Sequence, residues 1–196
     1  MIDHNKKLIF LHIPKNAGKS IEQYFCGKTI GNPHAKDWHI RNQLAADKYI
    51  DYFSFGIIRN PIDRIISVFN HYKNGGVGIH HDKNVQKKLK NIDFDTFVDK
   101  IDEYKGNLIS DYMLGDQHRW FFDNDQQIVN KILIFSNIPD NIMEIGEKYD
   151  IKDGFPWLNR SKKFVNIENV NFTTLRKLYK RYKKDFDIIK NVARNK

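Results

Sequence analysis

The sequence of 196 residues holds a single cysteine, Cys26, so it closes no disulfide within the chain and offers no thiolate set for a structural zinc. Its five prolines and 11 glycines nowhere gather with serine into a dividing linker, and neither a repeat nor a low-complexity tract is visible. Long apolar runs are missing as well. Nothing approaches the roughly 20 residues of a membrane-spanning helix, and after the polar Met1–Lys7 the run Leu8–Ile13 is too short for the apolar part of an export signal. Acidic residues are the scarcer charge, 24 against 33 basic ones, which leaves a formal net charge of +9. These absences exclude a disulfide scaffold and a membrane-spanning helix. The expectation is a soluble, cytoplasmic chain of a reducing compartment, held together by its core.

What is abundant is aromatic: 14 Phe and 9 Tyr contribute to an aromatic content of 13%, too much for a disordered chain. The length suits one sizeable core, so a single domain over residues 1–196 is expected. Three apolar runs read as buried strands, Lys7–Ile13, Tyr52–Ile58 and Lys131–Phe135, each followed by a polar or proline-containing break. Helical spacing lies between them. Ile21, Tyr24 and Phe25 share one side after the first strand. After the second, Asn60 caps a helix with Pro61 at its first position and a buried stripe of Ile62, Ile65, Ile66, Phe69 and Tyr72. A third helix starts near Asp93 and buries Phe94, Phe97, Val98, Ile101 and Tyr104. A last one, from about Thr174 to Asn191, turns Leu175, Leu178, Tyr179, Tyr182, Phe186 and Ile189 inward. Lys73–His81, KNGGVGIHH, reads as a mobile loop. Strands alternating with helices predict an α/β fold with a mainly parallel central sheet flanked by helices.

The first strand runs into a tight turn and then a helix, FLHIPKNAGKSIEQYF, and the turn carries Lys15, Asn16, Ala17, Gly18, Lys19 and Ser20. Small residues let backbone approach a ligand there, the helix start offers N–H groups and partial positive charge, and a lysine completes a cradle for phosphate. The ending Gly18-Lys19-Ser20 matches that of the triphosphate loop GxxxxGK(S/T), but the first glycine of that pattern falls on Ile13, followed by Pro14. The acid that would hold magnesium at the end of a later strand is also missing: the second strand ends in Ile58-Arg59 and the third in Phe135-Ser136.

HIPKNAGKS resembles the 5′-phosphosulfate loop of the sulfotransferases that use 3′-phosphoadenosine 5′-phosphosulfate (PAPS), whose form is close to HIPKT(G/A)GTS; Lys19 stands where Thr is common. FGIIRNPIDRIISVFNHY, Phe55–Tyr72, resembles the family's 3′-phosphate segment, a strand followed by R(D/N)PxxRxxS, with Arg59, Asn60, Pro61, Arg64 and Ser67 at its offsets. GNPHAKDWHI, Gly31–Ile40, is similar to the stretch that supplies a catalytic histidine in relatives acting on carbohydrates, which puts His34 in that place and His39 in reserve. PWLNRSKKF, Pro156–Phe164, is similar to the loop that closes over the nucleotide and brings in Arg160, Ser161, Lys162 and Lys163. DQHRWFFD, Asp116–Asp123, is similar to a segment near the acceptor side, and KLYKRYKKDFDII to the closing helix.

The resemblance implies a P-loop-like sulfotransferase architecture and transfer of a sulfuryl group from PAPS to a hydroxyl of a glycan or other small acceptor, with no metal. His34 would take the hydroxyl proton, as an imidazole with a pKa of about 6.5 suits. Lys15 would stabilise charge on the leaving 5′-phosphate, and Arg59 and Ser67 would hold the 3′-phosphate. His12, at the strand end, more simply fixes the loop. Arg64 is read either as a ligand contact or as a surface salt bridge. Trp38, Trp120 and Trp157 are candidates for sugar stacking or for the core. Two other readings stand beside this one: a P-loop nucleotide kinase or hydrolase, and a non-catalytic polyanion binder using the basic C-terminal helix. That helix has an apolar stripe, so its charges fit a solvated outer face, and nucleic acid is the weaker partner.

Overall fold

A computed structural model of the chain describes residues 1–29, 33–75, 83–158 and 164–194, with the backbone alone at 33–35. In chain order the elements are β1 (Ile2–Asp3), β2 (Leu8–Leu11), α1 (Gly18–Cys26), α2 (Pro33–Ala45), β3 (Phe53–Ile58), α3 (Pro61–Lys73), α4 (Lys83–Leu89), α5 (Phe94–Asp99), α6 (Ile101–Tyr104), α7 (Asp111–Leu114), α8 (His118–Phe121), β4 (Phe122–Asp123), β5 (Gln126–Gln127), β6 (Lys131–Ile134), α9 (Asp140–Glu147), α10 (Phe172–Arg181) and α11 (Lys183–Arg194). They gather into two compact units. One comprises Met1–Arg59, Asp116–Leu158 and Asp187–Lys196; the other comprises Asn60–Gly115 and Asn159–Phe186.

The first unit is built on a sheet of order β1-β2-β3-β6, in which β2, β3 and β6 run parallel and the short β1 pairs antiparallel at the edge. Every residue of β2 is buried, as expected of a central parallel strand covered on both faces. Leu8 and Phe10 of β2, Phe55 and Ile57 of β3 and Leu133 of β6 pack against Ile21, Tyr24 and Phe25 of α1 and Ile142 and Ile145 of α9. On the sheet, Gly56 makes room for a ring from α8: a Cβ there would lie 2.6 Å from Phe121. Helix α2 lies against β2 and α8.

The second unit is helical. Phe69 of α3 meets Phe94 and Phe97 of α5, with ring centroids 5.5 and 5.1 Å away, inside a core that also takes in Leu89, Leu114, Leu178 and Tyr182. Asn60 opens α3 as the sequence predicts. Its side-chain oxygen accepts from the Ile62 N–H at 2.9 Å, with Pro61 next in line.

The three predicted parallel strands are present within their predicted spans. Elsewhere the structure differs from the sequence reading. The segment holding His34 and His39, for which no helix is predicted, forms α2. The helix expected from Asp93 to Tyr104 is two, joined at Lys100, and the C-terminal helix is also two, joined at Tyr182. Tyr182 is buried and donates its hydroxyl to the Leu114 carbonyl at 2.7 Å, and its backbone leaves helical geometry (φ −104°, ψ 30°). Tyr179, expected inward, is 53% exposed. Of the loop expected at Lys73–His81, residues 76–81 lie outside the described residues. No helix among the described residues is long and apolar enough to cross a membrane.

Candidate active site

The apolar β2 delivers the chain to a turn in which both Lys15 and Ala17 take left-handed backbone conformations, φ 70° and 62°. For residues with a Cβ this costs energy, and such turns curl successive N–H groups into an anion-sized concavity. Ala17 is the N-cap of α1 and supplies no side-chain acceptor. The N–H groups of Ser20 and Ile21 both go to the Ala17 carbonyl, and no hydrogen bond among the described residues uses those of Gly18 or Lys19. The first turn of α1 also carries no acid. The start of α1 thus presents backbone N–H groups together with the partial positive charge of a helix end.

Beneath the turn lies His12. A Cβ on Gly18 would sit 1.9 Å from its Nε2, so only glycine fits over the ring. The opposite nitrogen, Nδ1, is 2.8 Å from Oε1 of the fully buried Glu22, one helical turn beyond Gly18. His12 thus supports the loop, as the sequence reading has it. Glu22 carries no role in the sequence reading; its one signal is a carboxylate within the apolar side of α1.

The turn is tied sideways to the end of β3. Asn16 is buried, and its Nδ2 donates to the Ile57 carbonyl at 2.6 Å and to Gln117 Oε1 at 2.7 Å. Its side chain is committed to the protein interior, leaving its backbone to line the turn. Arg59 extends its Nη1 to the Lys15 carbonyl at 3.0 Å, while its guanidinium lies 4.5 Å from the centre of the Phe135 ring. Lys15, Lys19 and Arg59 thereby collect at one place. Burial first, then the charge of Arg59, then that of Lys19, pushes the Lys15 ammonium down to about 8 from its ordinary 10.5. Ser20 accepts the Leu158 N–H on its hydroxyl oxygen at 2.9 Å, so the start of the Pro156–Phe164 segment does reach the turn. The continuation with Arg160, Ser161, Lys162 and Lys163 lies outside the described residues.

The remaining candidates are distributed as follows. Ser67 is half-buried on α3. Arg64 does not lie at the surface. It is fully buried, and its guanidinium donates to the carbonyls of Tyr112, Met113 and Gly115 at 3.0 to 3.2 Å. His34 stands in the first turn of α2, its side chain outside the described residues. His39 is exposed, with Nε2 2.8 Å from the Gln43 amide nitrogen. Trp120 is core, fully buried; Trp38 is flanked by the guanidinium groups of Arg41 and Arg119 at 5.4 and 5.3 Å; Trp157 is 40% exposed. His118 stacks on Phe122 with centroids 4.8 Å apart.

A crowded set of cations over a helix start, with buried supports beneath, fits a ligand bearing phosphate or sulfate. The family model described as "Sulfotransferase family" matches residues 1–189. Neither a curated protein nor a solved structure matches the chain.

Proposed function

Because the chain belongs to the sulfotransferase family, we propose that it moves a sulfuryl group from PAPS to a hydroxyl of a carbohydrate or other small acceptor. The observation that carries this reading is the crowding of Lys15, Lys19 and Arg59, where burial first and then repulsion from Arg59 and Lys19 depress the Lys15 ammonium. A bound polyanion relieves that repulsion. The donor set fits the group: two amines, a guanidinium able to grip phosphate through two N–H bonds, and the N–H groups at the start of α1. The family match runs across both compact units, and we read residues 1–196 as one functional domain of P-loop-like architecture.

When bound, the donor supplies the sulfuryl group, which is loosely held by both oxygens in flight, so placement and charge stabilisation dominate the chemistry. Lys15 and the backbone from Ala17 to Ser20 hold the 5′ end, and Lys15 keeps its proton close to the oxygen on which negative charge grows. Arg59 holds the 3′-phosphate. Ser67 and residues 160–162 keep the parts that the sequence resemblance gives them. His34 takes the acceptor proton, with His39 the alternative on the same helix.

The decisive experiment is calorimetric titration with 3′-phosphoadenosine 5′-phosphate, the desulfated donor, without metal, beside ATP with magnesium. Tight, metal-independent binding of the bisphosphate and weak binding of ATP is the expected result. Preference for ATP with magnesium would sink the reading in favour of a kinase or hydrolase. Binding of neither would leave a polyanion binder.

A further inference from the structure

Strand β3 ends at Ile58, which pairs with Ile134 of β6, so the backbone of Arg59 lies one step past the ladder. Its N–H and C=O are nevertheless both satisfied by one side chain. Gln117 Oε1 accepts the Arg59 N–H at 3.0 Å, and Gln117 Nε2 donates to the Arg59 carbonyl at 2.8 Å. The amide stands in for a residue of a neighbouring strand. The same Oε1 accepts from Asn16 Nδ2 at 2.7 Å, and Arg59 Nη1 returns to the Lys15 carbonyl at 3.0 Å. These bonds close a ring: Lys15 and Asn16 on the turn, Gln117 fully buried between, Arg59 at the strand end, and back to Lys15. Asn16 and Gln117 are 101 positions apart in sequence, and Arg59 and Gln117 are 58 apart.

We propose that Gln117 is a positioning residue that fixes the separation of the Lys15–Ser20 turn and Arg59, so that one nucleotide carrying phosphates at both ends of its ribose engages both together. The inference rests on the donor reading above and adds to it the residue that sets the spacing between its two anion sites. Two sites held at the right span bind a bidentate ligand far more tightly than either half, an advantage that vanishes when the span wanders. Neither site contains Gln117 itself. Its removal therefore acts on the coupling rather than on either contact. An apolar residue of similar length fills the space but leaves the buried groups of Arg59 and Asn16 without this partner.

The test compares adenosine 3′,5′-bisphosphate with adenosine 3′-phosphate and adenosine 5′-phosphate on wild type, Gln117→Met and Gln117→Ala, with circular dichroism to confirm folding. The Ala variant removes the same three bonds with a shorter side chain that leaves space for water, and it serves where the Met variant does not fold. In wild type the bisphosphate should bind at least about tenfold tighter than the better monophosphate, and in either variant this preference should fall below about threefold while the monophosphates hold nearly constant. A parallel loss for all three ligands would mean that Gln117 merely supports the fold, and unchanged preference would mean that it sets no spacing; either result overturns the proposal. Failure of wild type to prefer the bisphosphate would instead overturn the donor reading itself.

Discussion

Lys15 joins backbone strain to charge. Its left-handed φ of 70° places it in the turn, and its ammonium titrates near 8 rather than 10.5. Between those two values the unfolded chain holds a proton that the folded chain has released. This lysine therefore contributes to folding stability increasingly as pH rises from about 8 toward 10.5, and it opposes folding in full below that window. Binding of a polyanion runs the other way, because it favours the protonated amine. The affinity for adenosine 3′,5′-bisphosphate should be constant near pH 7 and fall as pH passes through about 8, with net proton uptake on binding there. Phosphate groups with a second pKa of about 6 are already ionised in that range and do not interfere. Calorimetry in buffers of different ionisation enthalpy measures the uptake, and Lys15→Met should remove it. A flat profile through pH 9 in wild type would mean that Lys15 carries no charge to the ligand.

At the scale of elements, the short helix α7 shows how a helix end buried in a core is satisfied. The last carbonyls of a helix have no partner of their own. Here those of Tyr112, Met113 and Gly115 take Arg64, and that of Leu114 takes the Tyr182 hydroxyl. Tyr182→Phe should cost about 1 kcal/mol, and Arg64→Met about 2 to 4 kcal/mol because several buried acceptors lose their donor at once. Urea unfolding with an unchanged slope reads both. Equal, negligible costs would show that the α7 end reaches water in solution. The elements that could be read in advance are those with their own local signal. β2, β3 and β6 are apolar runs closed by a break, and α3 announces itself by Asn60-Pro61. Helix α2 carries Trp38, Ile40 and Leu44 without gathering its apolar residues into one stripe, so periodicity is silent there. The joints at Lys100 and Tyr182 follow from tertiary contacts, which no periodicity contains.

The same division holds for the whole molecule. The cationic turn and Arg59 are legible because each sits at a strand-to-helix junction marked in the sequence. Gln117, Glu22 and the buried destination of Arg64 are not, since their meaning lies in partners from other elements; the carbonyls that Arg64 serves are 48 to 51 positions away. The chain folds as two compact units, each with an apolar core, one around a sheet and one built on helices among the described residues, and a single family pattern extends over both. Over this lies a net charge of +9. The long-range field of such a surface attracts polyanions at low salt and is screened within about 10 Å at 0.1 M. Affinity for the bisphosphate should therefore fall severalfold between low and moderate salt and then level off, because the partly buried cations and backbone donors of the turn escape screening. Continued decline to complete loss in a salt titration would point to diffuse surface attraction instead of a built site.

Trp157 has a consequence for observation. Its indole is 40% exposed and its ring centre lies 6.1 Å from that of Phe135, the ring on which the Arg59 guanidinium rests. The next residue, Leu158, is bonded to Ser20. Trp120, by contrast, is wholly enclosed. The protein therefore carries its own optical probe. Of its three indoles, Trp157 is one ring removed from Arg59 and should emit toward the red, Trp120 is enclosed and should emit toward the blue, and Trp38 is half-buried. A Trp38→Phe background isolates the Trp157 signal, and occupancy of the turn should then be readable as a spectral shift without any label.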